Sequence, residues 1–175
     1  MQKQVSAQFD SRVADPRLSR PDVQRATEQA TLAILIALSV SHMMNDTMQS
    51  VIQALYPMFQ KSYALSYGQI GLITLAYQLT ASILQPIVGT YTDRRPLPYS
   101  LSAGMGSTFL GLLLLSRAHS FLAILVAAAL VGIGSSIFHP ESSRVARMAS
   151  GGRYGFAQAL FQVGGNTGSS LGPLR

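Results

Sequence analysis

The sequence predicts an all-α membrane protein with about five transmembrane helices, and three observations predict it. Only 11% of the 175 residues are charged, against about 25% in a typical soluble domain. The charges are also segregated: residues 1–28 carry five basic and four acidic side chains, and all the rest only eight basic and three acidic ones. Between those later charges lie five apolar stretches, each close to the roughly 20 residues that take a helix across a bilayer. None shows the apolar–polar alternation of a membrane β-strand.

Residues 1–28 are polar, contain Pro16 and Pro21 and lack an apolar run, so they read as a disordered cytoplasmic tail with a short helix near DVQRATEQ. They are not a secretory signal, having neither an apolar core nor a small-residue cleavage site. Residues 29–175 form the membrane part. Its first segment, Thr31–Phe59, contains SHMMNDTMQSVIQALYP. At about 100° per residue, His42, Asn45, Asp46, Gln49, Gln53 and Tyr56 fall on one stripe roughly 100° wide, with apolar residues over the rest. That is a helix with one face on a polar interior, and His42 and Asp46, four apart, are placed to pair.

The second segment, Gln69–Thr90, carries no charge; it has Tyr77, Gln78 and Gln85, followed by Pro86, which interrupts the hydrogen-bond ladder. Leu97–Ser116 is uncharged, and Ser120–Pro140 has only His139 as a titratable group. The GMG at 104–106 and GIG at 132–134 read as faces for close helix packing. Past Pro140, Glu141 and Arg144 are spaced to pair. His139 and Glu141 are either proton-exchanging partners or part of an interfacial cap. The fifth segment, Tyr154–Leu174, is rich in Gly and places Gln158, Gln162 and Asn166 on one face.

Basic residues orient the chain. With the N-terminus cytoplasmic, ten Lys and Arg lie in the inner segments and only Lys61 and Arg117 in the outer loops. The last apolar segment ends at the chain terminus, so further helices are expected after it, either as a missing C-terminal half or on another chain.

Several functions are excluded. The basic residues sit in short clusters between apolar runs rather than on one face, so no nucleic acid is expected. The chain has no Cys. His42, His119 and His139 lie on different segments and match no local zinc-ligand spacing, so no metal site is expected. There is no nucleophile elbow or phosphate loop, so the protein is not read as an enzyme.

A family resemblance enters here. GTYTDRR, Gly89 to Arg95, resembles the short inner loop of the major facilitator superfamily in Gly89, Asp93 and Arg94, with Pro96, Leu97 and Pro98 departing from the later part of that motif. GGNTGSSLGP, which includes Gly172 and Pro173, is similar to the Gly-Pro motif of its antiporter branch. Longer stretches within residues 38–174 resemble the fosmidomycin resistance group of that superfamily. The resemblance implies the N-terminal part of a major facilitator fold, with inverted three-helix repeats, in the bacterial inner membrane. It implies proton-coupled efflux of a small molecule, a phosphonate antibiotic such as fosmidomycin, driven by the proton gradient without a cofactor. Under that reading His42, Asp46, His139 and Glu141 are the proton-coupling candidates. Asn45, Gln49, Tyr77, Gln78, Arg144, Gln162 and Asn166 contact the substrate, while Gly89, Asp93, Arg94, Gly172 and Pro173 serve gating. The alternative is a membrane scaffold or partner subunit, or a truncated product without transport.

Overall fold

The computed structural model describes residues 20–95 and 97–172. These form α1 (Arg20–Ala54), α2 (Tyr56–Tyr63), α3 (Tyr67–Arg94), α4 (Ser100–Ser116), α5 (Phe121–Met148) and α6 (Tyr154–Leu171). The expected disorder of residues 1–19 and the gating role of Pro173 lie outside the described residues.

Several boundaries differ from the sequence reading. Residues 20–28, expected in the tail, are the first turns of α1, because good helix formers such as Gln, Arg, Ala and Glu extend a helix whose apolar part is already anchored. The first segment does not run unbroken to Phe59. It breaks at Leu55, and α2 restarts with Pro57 in its first turn, where a missing N–H costs nothing. The third segment is shorter than Leu97–Ser116, since residues 97–99 form a turn. Pro86 and Pro140 both lie inside continuous helices. By length and apolarity together, α3 and α5 qualify as membrane-crossing helices, and α4 is apolar but shorter; polar side chains dilute α1 and α6.

Local chemistry sets the helix ends. Ser66 and Gln69 form a reciprocal capping box at the start of α3, and the Ser120 hydroxyl accepts from the Ala123 N–H at the start of α5. Gly151 and Gly152, at φ 59° and 87°, turn the chain between α5 and α6 in a conformation that side-chain-bearing residues seldom adopt.

Residue pairings give the topology. Ser39 meets Leu160, His42 meets Phe161 and Thr47 meets Gly168, so α1 and α6 run parallel. The α3 and α5 helices are also parallel, with Gly132 against Tyr77 and Thr80, and Pro140 against Gly89. α4 runs antiparallel to α5, from Ser100 with Glu141 to Ser107 with Leu130. The expected small-residue faces make the close approaches: a Cβ on Gly134 would strike Thr108 and the Gly104 carbonyl, and one on Gly132 would strike α3. One apolar cluster, including Ile52, Phe59, Ile73, Ile124 and Val131, fills one end of the bundle. A second, with Leu35, Leu38, Ala146, Ala157 and Phe161, fills the other. The polar stripe of α1 lies between them.

Candidate functional site

His42 is almost fully buried, at 3% exposure. Its ring stacks on Phe161 with centroids 4.0 Å apart and 17° between planes. Gly165 backs it, leaving no room for a Cβ. Its Nδ1 lies 2.9 Å from the Phe161 carbonyl oxygen. A carbonyl only accepts, so Nδ1 carries a hydrogen, and Nε2 faces Asp46 Oδ2 at 3.4 Å. His139 repeats the arrangement from α5, with Nδ1 3.0 Å from the Ser135 carbonyl and Nε2 3.4 Å from Asp46 Oδ1. The Asp46 carboxylate therefore stands between two imidazoles held from opposite sides. Asn45 Nδ2 donates to Oδ1 at 3.2 Å, and Ser169 Oγ approaches Oδ2 at 3.4 Å.

One turn further along α1, the Tyr77 hydroxyl donates to Gln49 Oε1. Two buried atoms here have no hydrogen-bond partner, Asn45 Oδ1 and Gln49 Nε2. Buried polar atoms are nearly always paired, by water where protein does not serve. A cavity of about 310 Å³ opens beside them, lined by Asp46, Gln49, Tyr77, Gln78, Ser135 and His139 among others, with no Lys or Arg among its lining residues. A second cavity of about 610 Å³, lined by Gly89, Asp93, Gln158 and Gln162, shares Gln85 and His139 with the first. Together they form a path along α3 and α5, polar in its first part and mixed in its second.

The structure brings most of the expected residues onto this path but not all. Glu141 is not beside His139's working nitrogen, because positions two apart on a helix point about 200° from each other. Its buried carboxylate instead accepts from Arg144 Nη2 at 2.7 Å and Nε at 3.3 Å, and from Ser100 Oγ at 2.7 Å. Arg144 is thereby engaged by Glu141 and lies within electrostatic reach of Asp93, rather than presented to the cavity as an anion receptor. This cluster ties α3, α4 and α5 together near the loop between α3 and α4. His42 and Asn45 are buried behind the path and line neither cavity; Arg94 and Asn166 are exposed and line neither cavity, while Gly172 packs against Ser50 of α1.

No metal site is expected from the spacing of the histidines along the sequence, but the fold brings two of them together. His42, Asp46 and His139 offer three ligand atoms all within 4.8 Å of one another, a grouping made across helices that local spacing cannot reveal. His119 stays apart in an exposed loop. Sequence reasoning also missed Phe161, Gly165 and Ser135, which hold the imidazoles, and Ser100, which holds Glu141. Of these only Ser135, one helical turn before His139, left a signal.

Residues 38–174 match the Major Facilitator Superfamily. The chain is 61% identical over 146 residues to the fosmidomycin resistance protein of Escherichia coli (strain K12), an alignment covering 83% of this chain and 36% of that protein. It is 47% identical over 141 residues to the uncharacterized MFS-type transporter YfnC of Bacillus subtilis (strain 168), covering 81% of this chain and 34% of the relative. The chain thus spans about a third of the length of the curated relatives it matches. No solved structure matches significantly.

Proposed function

This chain belongs to the Major Facilitator Superfamily, and on that premise we propose that it forms one wall of a proton-coupled inner-membrane exporter of a small molecule. The observation that carries the reading is the pair of adjoining cavities lined by polar residues of α1, α3, α5 and α6, on helices whose outer faces carry exposed apolar side chains. The Gln49 amide, with hydrogen-bonding capacity to spare, together with Tyr77, Gln78 and Gln162, offers a substrate uncharged contacts. His42, Asp46 and His139 are the groups that would carry the exchanged proton. The Asp93, Glu141, Arg144 and Ser100 cluster is suited to latch the inner end during alternating access. The name of the Escherichia coli relative makes fosmidomycin, a phosphonate, the first substrate to test. The other wall of the path would come from a C-terminal half or a second chain.

The test is drug susceptibility. A sensitive bacterial strain is given either this 175-residue chain or a version extended to twelve helices, and is challenged with fosmidomycin with and without a proton-gradient uncoupler. Protection by the extended form, lost with the gradient, supports the reading. Protection by the short chain alone would mean that it assembles with itself or a host partner. Absence of protection by either, with both in the membrane, removes the substrate assignment.

A further inference from the structure

We propose that His42, Asp46 and His139 form a binding site for a divalent transition-metal ion, bridging α1 to α5 and opening onto the polar cavity. Ligands at about 2.0–2.1 Å from a tetrahedral Zn²⁺ stand about 3.3 Å apart. Each Nε2 lies 3.4 Å from a different oxygen of Asp46, and the three donors lie within 4.8 Å of one another, so the histidine–carboxylate spacings match and a small side-chain shift brings all three onto one ion. The imidazoles meet edge-on with centroids 5.0 Å apart, which brings both rings to the same carboxylate.

The surroundings fit as well. Both Nδ1 atoms donate to backbone carbonyls, of Phe161 and Ser135. That outer shell fixes the tautomer in which Nε2 is the ligand, as at established metal-binding histidines. In the neutral rings each Nε2 then presents a lone pair to a carboxylate that also only accepts. A cation has to stand between them, either a proton on Nε2 or a metal ion that takes its place. Phe161 and Gly165 hold His42 in place, so little side-chain freedom remains to be lost on binding.

The ligand set selects the ion. Imidazole with carboxylate, in a chain without Cys, suits Zn²⁺, Co²⁺, Ni²⁺ or Cu²⁺ rather than Mg²⁺ or Ca²⁺. A fourth position opens on the cavity side toward Gln49 and Tyr77, leaving room for a water or a substrate oxygen. This site stands independently of the transport reading; only competition between the metal and an exchanged proton rests on it.

The experiment is titration of the purified chain in detergent with ZnCl₂ by calorimetry, and with CoCl₂ by visible absorption, after purification through a histidine-free tag. One Zn²⁺ per chain is expected, with Co²⁺ giving the intense bands of four-coordination. His42→Gln, Asp46→Asn and His139→Gln should each weaken binding about tenfold or more, while His119→Gln leaves it unchanged. Circular dichroism establishes that each variant keeps its helicity. A variant that loses it is re-examined in the twelve-helix version in nanodiscs. No saturable binding by the helical protein, or binding that survives both Asp46→Asn and His139→Gln, overturns the site. Metal binding without drug protection removes the fosmidomycin assignment alone, and protection without metal binding removes this inference alone.

Discussion

At the scale of the residue, Asp46 is the costliest side chain in the molecule. A central Asp raises the insertion free energy of a helix by about 2.5–3.5 kcal/mol, so its place between two imidazoles calls for a function. In a twelve-helix version, Asp46→Asn is expected to reduce drug protection to the empty-vector level while immunoblots show unchanged amounts in the membrane; retained protection would take Asp46 out of the proton path. Gly165 is a sharper probe of how His42 is held. A methyl group there runs into the imidazole, and overpacking of this kind costs about 1–3 kcal/mol. Gly155→Ala meets nothing within 4 Å and should gain up to about 1 kcal/mol of helix propensity. Thermal melts in detergent should therefore move in opposite directions for the two variants. His42 and Asp46 were legible as partners because four residues make one helical turn. The His139 contact was not, since it depends on how α5 packs on α1, and nothing in HPESSR states that.

At the scale of the element, α5 is the organiser. Its glycine face admits α3 and α4, its middle supplies His139, and its last turns carry Glu141 and Arg144. The Glu141 carboxylate is 1% exposed and accepts from two other residues, Arg144 and Ser100. Glu141→Gln keeps the shape and removes the charge, so the guanidinium loses charge-assisted bonds worth about 1.5–3 kcal/mol. We expect a lower melting temperature with helicity retained. Arg144→Lys should lose only part of that stability, because an ammonium cannot make the two-pronged contact. A melt unchanged by Glu141→Gln would show that this cluster does not fasten its end of the bundle. The identity of the spans was legible from apolar length and their packing faces from the paired glycines. Their ends were less so. Charged residues 20–28 read as tail, yet a helix tolerates Arg, Gln and Glu outside the apolar zone, and the Leu55 break reflects the restart at Pro57 rather than any loss of apolarity.

At the scale of the whole molecule, the two parallel pairs, α1 with α6 and α3 with α5, are what an inverted three-helix repeat requires. Exchanging the repeats carries α1 onto α5 and α3 onto α6, so each pair maps onto the other. His42 and His139 then stand on corresponding first helices, and Asp46 ties the two repeats at their centre. The outer surface completes the argument. Leu75, Ile83, Ile87, Leu110, Leu122 and Val163 are all exposed, on four of the helices. Apolar exposure of that extent needs lipid or another helix against it. Ten basic residues fall in one set of connecting segments and two in the other, so the positive-inside rule predicts a cytoplasmic N-terminus. Because the chain has no Cys, single introduced cysteines give an unambiguous readout. In intact cells a membrane-impermeant maleimide should label His119→Cys, in the loop between α4 and α5, and should label Gln29→Cys near the start of α1 only after permeabilisation. The opposite pattern would invert the topology and put the Glu141 cluster at the outer face. Equal labelling of both sites in intact cells would mean that basic-residue bias does not orient this chain.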